Sequence, residues 1–200
     1  SDIHYWGGRP GIAGQILAAA ARADGMLAVS AALKADMAAL GMPGERIRVH
    51  HTGVDLDRFR PLDRRTAKAA LGVEGPLLAI VGALIPRKRP RLAIEALARI
   101  PDASLIVVGD GPERPALARL ARRLGLGGRI RFLGARLHAE LPALLGAADL
   151  LVHPSAAEGL ANVWVEALAC GTPVVACDAG GAREAIDRPE AGRLVAADPE

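Results

Sequence analysis

Little of this 200-residue sequence is aromatic, thiol-bearing or rich in lysine, and each shortage removes a class of protein. Two Phe, two Trp and one Tyr cannot fill a core. Small aliphatic side chains must do so, which suits helices laid closely on a Val/Ile/Leu sheet. The only thiols, Cys170 and Cys177, lack C-x2-C spacing, and no nearby His/Asp cluster completes a metal site. They read as small buried hydrophobes in a reducing compartment, taken as the cytoplasm. Lysine occurs only at Lys34, Lys68 and Lys88, and the net charge of +3 comes with no basic run. Nucleic acid is therefore not expected as a partner. No apolar run reaches membrane-spanning length, and no strongly basic amphipathic helix argues for more than weak attraction to a membrane surface. The chain starts without a signal peptide or initiator Met and is expected to be cut from a longer protein, so missing targeting signals exclude nothing. The turn Gly109-Asp110-Gly111-Pro112 has neither the G-x-G-x-x-G order of a dinucleotide fingerprint nor the G-K-[ST] of a P-loop. Ser155 lacks a His-Asp partner pattern, which argues against a serine hydrolase.

What is present is a well-patterned globular chain. With 51% hydrophobic and 24% charged residues, disorder is excluded for most of its length. A helix over 10–24, a strand at 26–29, a helix over 31–40 capped by Ser30, and a strand at 46–50 come first. The segment 50–61 has no steady period, and Gly53 and Pro61 punctuate it as a connection between domains. Helices are then expected near 64–71, 89–99, 113–124, 138–146, 160–169 and 181–187. Between them lie strands at 77–82, 104–109, 129–134, 149–155, 173–177 and 192–195. Short apolar strands divided by amphipathic helices predict an α/β fold: a Rossmann-like, doubly wound parallel sheet covered on both faces. Ligands of such sheets sit beyond the strand C-termini, near the reversal of strand order. The stretches 21–30 (ARADGMLAVS) and 146–155 (GAADLLVHPS) echo one another, as two related domains would. The expected division is 1–55 for the tail of a first domain, 56–61 for the connection and 62–200 for a second. The abrupt end at Asp198-Pro199-Glu200 reads as a cut through a longer protein.

Residues 153–186 carry the sharpest chemistry. Glu158-Gly159 lead into a helix expected to leave the amides of about residues 160–163 unpaired, an anion site aided by the helix dipole. Gly159 lets a ligand approach the backbone. Counted from Glu158, Glu166 lies two turns inside, about 12 Å along the axis. The two carboxylates could then bind separated hydroxyls of an extended ligand, with phosphate between them. Glu158 as a helix-start acid and Glu166 on a solvated face remain the bland alternative, since E-x7-E spacing is common. Gly180-Gly181 opens the next helix as a second close-approach site.

The block HPSxxEG, Glu158/Glu166, EALACGTPVVA and the GG-x-x-E of 180–184 resembles the donor-binding region of retaining GT-B glycosyltransferases (family 4, group 1). TGVDLDRFRP (52–61), VGALIPRKR (81–89), VVGDGPER (107–114) and RIRFLG (129–134) extend the likeness over nearly the whole chain. The resemblance implies a GT-B architecture with only the tail of its first, acceptor-side domain present; Ser1-Asp2 is similar to the end of a family GSD segment. It implies that Glu166 grips the ribose of a nucleoside diphosphate, Glu158 contacts the donor sugar, and the backbone from Gly159 through Leu160, Ala161 and Asn162 meets sugar or diphosphate. Lys88 would bind the diphosphate and Gly82 would line the same edge. Phe132, Leu133 and Gly134 would hold the base. The reaction implied is transfer from a nucleotide-sugar co-substrate to a sugar, lipid-linked or small-molecule acceptor, with anomeric configuration kept and no metal or other cofactor required. Attack on the donor's leaving-group face would need no fixed protein nucleophile. Contact with the cytoplasmic membrane face is left to the missing part of the first domain, and the 200 residues are expected to bind nucleotide but transfer sugar poorly.

This sequence departs from the family at two places. Ala83 stands where the family commonly has an arginine, with Arg87 as the candidate substitute beside Lys88. Ala161 replaces a proline in an E-G-x-P-N variant, where Asn162 could cap the helix or touch a sugar hydroxyl. His153, His50, His51 and Asp55 are secondary candidates. A sugar-nucleotide epimerase or phosphorylase, or a non-catalytic binding module, remain the alternatives.

Overall fold

The computed structural model describes Ile3 and residues 6–196. Ser1-Asp2 and Asp198-Pro199-Glu200 lie outside the described residues. A small unit opens the chain: α1 (Pro10–Arg22), β1 (Met26–Ala28), α2 (Ala31–Ala39) and β2 (Ile47–Val49). β1 and β2 pair in parallel, Met26 opposite Ile47, with α2 as their crossover. The Ser30 hydroxyl accepts from the Leu33 amide at 3.0 Å and so starts α2. Leu33 and Met37 then turn inward onto Ala28, Met42 and Ile47.

The larger unit alternates strictly. Its helices are α3 (Arg64–Ala70), α4 (Pro90–Leu97), α5 (Arg114–Arg123), α6 (Leu141–Ala147), α7 (Asn162–Ala169) and α8 (Ala182–Ala185). Its strands are β3 (Leu77–Val81), β4 (Ser104–Val108), β5 (Ile130–Gly134), β6 (Leu150–His153), β7 (Val174–Cys177) and β8 (Gly192–Val195). All six strands are parallel, in the order β5-β4-β3-β6-β7-β8. The fold is the expected α/β doubly wound sheet. From β3 the chain winds one way through β4 and β5, and from β6 the other way through β7 and β8. Right-handed crossovers therefore put α4 and α5 on one face and α7 and α8 on the opposite one. Two cores result. Leu78 and Ile80 meet Ile94, Leu97, Leu117 and Leu120 on the first face. Leu77, Ala79 and Val81 meet Leu145, Trp164 and Ala167 on the other. β3, buried on both sides, must be apolar at every position, and LLAIV is. Phe59 of the connection is 1% exposed and belongs to the larger unit's core.

Several boundaries differ from the sequence expectation. The helix expected over 138–146 opens with a separate 3-10 turn, His138–Glu140, before α6. Pro142 accounts for the break, because proline is tolerated only in the first turn of an α-helix. The helix expected from residue 160 begins at Asn162. Among the described residues no helix is long and apolar enough to cross a membrane.

Candidate functional site

β3 and β6 lie side by side where the strand order reverses, so their C-terminal loops, 82–89 and 154–161, share one sheet edge. The first loop ends in a 3-10 turn, Pro86–Lys88. Pro90 starts α4, and Arg89 between them adopts a left-handed backbone, φ 47° and ψ 43°. A non-glycine residue held there carries strain, placed directly beside Lys88. The loops are stitched together: the Ala156 amide donates to the Arg87 carbonyl at 2.9 Å, and Arg87 Nη1 donates to the Ala157 carbonyl at 2.5 Å.

This stitching brings Lys88, Arg87, Glu158 and His153 into one cluster. Lys88 Nζ donates to Glu158 Oε1 and lies 3.5 Å from His153 Nε2. Arg87 Nη1 stands 3.7 Å from the same carboxylate oxygen. His153, 3% exposed, accepts at Nδ1 from the Trp164 indole at 2.9 Å. An indole can only donate, so the neutral ring carries its proton on Nε2, 3.9 Å from Glu158 Oε1. Burial, then the Lys88 charge, pulls the His153 pKa down from 6.5 to about 4, so the ring is neutral at pH 7. Burial alone would raise the Glu158 carboxyl, but the hydrogen bonds from Lys88 and Ser155, with the Lys88 charge, outweigh it and hold it below its ordinary value. With both basic side chains and Glu158 ionised, the cluster holds two cations and one anion and retains one positive charge.

Glu166 sits apart from that group. It is the fifth residue of α7, one turn in rather than two, and Glu158 lies in the preceding loop. The common-axis separation of about 12 Å read from spacing therefore does not apply. The Glu166 carboxylate, 11% exposed, meets His138 Nε2 at 2.9 Å. His138 Nδ1 in turn lies 3.3 Å from Arg58 Nη1, and its ring lies against Phe59 with centroids 5.0 Å apart. His138 was not among the sequence candidates. The signal that could have found it is topological, since every strand of a parallel sheet ends at the same edge and His138 follows β5.

The remaining candidates divide. α7 starts late, and the Trp164 amide is bonded to the Ala161 carbonyl at 3.0 Å. That bond marks the inner limit of the helix mouth: among the described residues none accepts from the amides of residues 160–163, of which Ala161, Asn162 and Val163 form the first turn of α7. Asn162 is exposed and does not cap, because Ala161 holds the N-cap position without a side-chain bond. Leu160 packs against the larger core. Gly82 donates its amide to Val108, and its α-carbon faces open space at the strand end. Phe132 and Leu133 pack against opposite cores, so neither aromatic face nor aliphatic chain is wholly available to a base. Gly134 accepts from the Gly109 amide at 2.8 Å.

Gly180-Gly181 is a close-approach site of another kind than expected. A β-carbon on Gly180 (φ +57°) would come within 1.7 Å of the Glu158 carbonyl oxygen, and one on Gly181 within 2.3 Å of that of Gly159. The pair backs the Glu158-Gly159 turn with protein, not ligand, and the Gly181 amide donates to the Gly159 carbonyl at 2.8 Å. Glu184 ties the two units together. Its oxygens accept from the amides of Ala31 (3.0 Å) and Ala32 (3.2 Å), at the start of α2, and meet His51 Nε2 at 2.8 Å. Asp55 Oδ1 accepts from the amides of Asp57 and Arg58 and fixes the connection's turn.

Comparison with known proteins places these features in context. Residues 63–200 match the family described as glycosyl transferases group 1, and residues 3–58 match glycosyltransferase family 4. The D-inositol 3-phosphate glycosyltransferase of Mycobacterium tuberculosis is 45% identical over 163 residues, 78% of this chain and 34% of that protein. The chain thus spans about a third of the length of such curated relatives. The structure of Anabaena HepE in complex with UDP-glucose superposes with a TM-score of 0.88 at 32% identity, covering 99% of this chain and 56% of that one. Sucrose-phosphate synthase from Thermosynechococcus elongatus gives 0.87 at 30% identity, over 94% and 49%.

Proposed function

Because the chain belongs to the group 1 glycosyl transferases, we propose that it forms the donor side of an enzyme moving a sugar from a nucleoside diphosphate to an acceptor hydroxyl, with retention. The observation that carries this reading is the Lys88–Arg87–Glu158 cluster at the switch point of the sheet, beside the open amides of α7. Breaking the donor's glycosidic bond leaves a diphosphate whose charge grows as the bond lengthens. One uncompensated positive charge and a helix N-terminus stabilise that charge more in the transition state than before it. Glu158 keeps Lys88 extended toward the edge and, through its second oxygen, contacts the donor sugar. Glu166 takes the ribose. The charge of the leaving group is met by Lys88, Arg87 and the amides, and the reaction calls for no bound metal.

The division into an acceptor-side part through residue 55, a connection at 56–61 and a donor domain from 62 goes with this reading. So does a sugar, lipid-linked or small-molecule acceptor approaching from the first-domain side in the cytoplasm. Since the matched relatives are more than twice as long, the 200 residues alone would bind nucleotide and turn over weakly. The test is to offer UDP-, GDP- and ADP-glucose to the protein with a panel of hydroxyl acceptors and determine the product's anomeric configuration by NMR. The α-linked product of an α-donor supports the proposal, and UDP is the first choice because HepE is seen with it. A β-linked product overturns retention, and a rearranged or phosphorolysed donor without a new glycoside overturns transfer.

A further inference from the structure

The geometry points to His138 as a positioning residue that aims Glu166 at a ribose, an inference that rests on the donor-site reading above. A glutamate has three side-chain torsions, and a carboxylate meant to recognise a diol gains affinity when its orientation is set beforehand. His138 supplies that orientation. Its Nε2 lies 2.9 Å from Glu166 Oε1. Arginine can only donate, so Arg58 Nη1 at 3.3 Å makes Nδ1 the accepting nitrogen, and Nε2, facing the carboxylate, is the N–H donor.

The His138 side chain is 55% exposed, but its ring is contacted on two sides and the turn that carries it is pinned. Phe59, fully buried, packs tilted against it at 5.0 Å. Arg58 comes from the connection whose turn Asp55 fixes. The 3-10 turn that carries His138 is pinned by Glu140 Oε2, which accepts from the Leu137 amide at 2.8 Å. With Oε1 engaged, Glu166 Oε2, which no described residue hydrogen-bonds, is the oxygen that accepts from a ribose hydroxyl. Ribose recognition would then depend on Arg58 and Phe59, residues of the segment joining the two units.

The test is calorimetric titration of the purified protein with UDP, GDP and ADP, and with the 2′,3′-dideoxy form of whichever binds tightest. His138→Ala is expected to weaken the ribonucleotide about tenfold, the scale of one hydrogen bond to a charged group, and to leave the dideoxy form unchanged. His138→Gln, whose amide can replace the Nε2 donor, is expected to recover affinity to within about threefold of the parent. An unchanged ribose preference in His138→Ala overturns the proposal. So does an equal loss for both forms, because that would mean a general structural role. Glu166→Gln separates the two layers: if it keeps the full ribose preference, or if none of the three nucleotides binds, the donor-site reading itself fails.

Discussion

The Lys88–Glu158 pair can be tested by a double-mutant cycle built on Lys88→Met and Glu158→Gln. The two side chains are 20% and 10% exposed, so the pair lies between two regimes. Exposed ion pairs contribute about 0–1 kcal/mol, whereas removing one partner of a buried pair costs about 3–5 kcal/mol. In Lys88→Met, Glu158 keeps Arg87 at 3.7 Å, so the expected loss is only about 2 kcal/mol. In Glu158→Gln, two neighbouring cations remain without a counter-charge beside a neutral His153, for about 3 kcal/mol. The double variant removes both charges of the pair and should cost no more than the worse single change, a coupling of about 2 kcal/mol. Urea unfolding at pH 7, followed by circular dichroism with unchanged m-values, measures all four corners. A coupling under about 0.5 kcal/mol would mean that the pair behaves as a solvated surface contact, and the reasoning about a preorganised cluster would fail.

Three further outcomes follow from the same geometry. His153 binds a proton near 6.5 when unfolded and near 4 when folded, so the unfolded state takes up more protons between those values and stability falls as pH falls. From pH 7 to 5 this amounts to about 2 kcal/mol, and His153→Asn should flatten the pH dependence of urea unfolding; an unchanged slope would refute it. Gly180→Ala, which would drive a β-carbon into the Glu158 carbonyl, should cost about 3 kcal/mol in a thermal or urea melt. Gly72→Ala, at a similar φ of +60° but with nothing within 4 Å, should cost about 1 kcal/mol, and equal losses would contradict the packing explanation. Glu184→Ala should destabilise the start of α2 by about 1–2 kcal/mol, seen as faster hydrogen exchange at the amides of Ala31 and Ala32.

The alternation of apolar strands with amphipathic helices was enough to read a parallel doubly wound sheet, because strands buried on both faces must be continuously apolar. Lys88 and Glu158 were legible as candidates, but their mutual pairing was not, since seventy residues separate loops that only strand order brings together. α7 illustrates the limit of local reading. Glu158-Gly159 looks like a helix entry, yet the Gly159 carbonyl is claimed by Gly181, and the helix waits until Asn162. Gly180-Gly181 looked like room for a ligand because glycine marks a close approach without saying what approaches. His138 carried no motif at all. Its significance comes from Arg58, Phe59 and Glu166 converging on it from two separate stretches of chain.

The most direct measurement is a crystal structure with UDP bound. The expected result is a diphosphate within hydrogen-bonding distance of Lys88 Nζ and the Asn162 and Val163 amides, with the ribose hydroxyls on Glu166. A nucleotide seated away from this edge, or Glu166 turned from the ribose, would contradict the account.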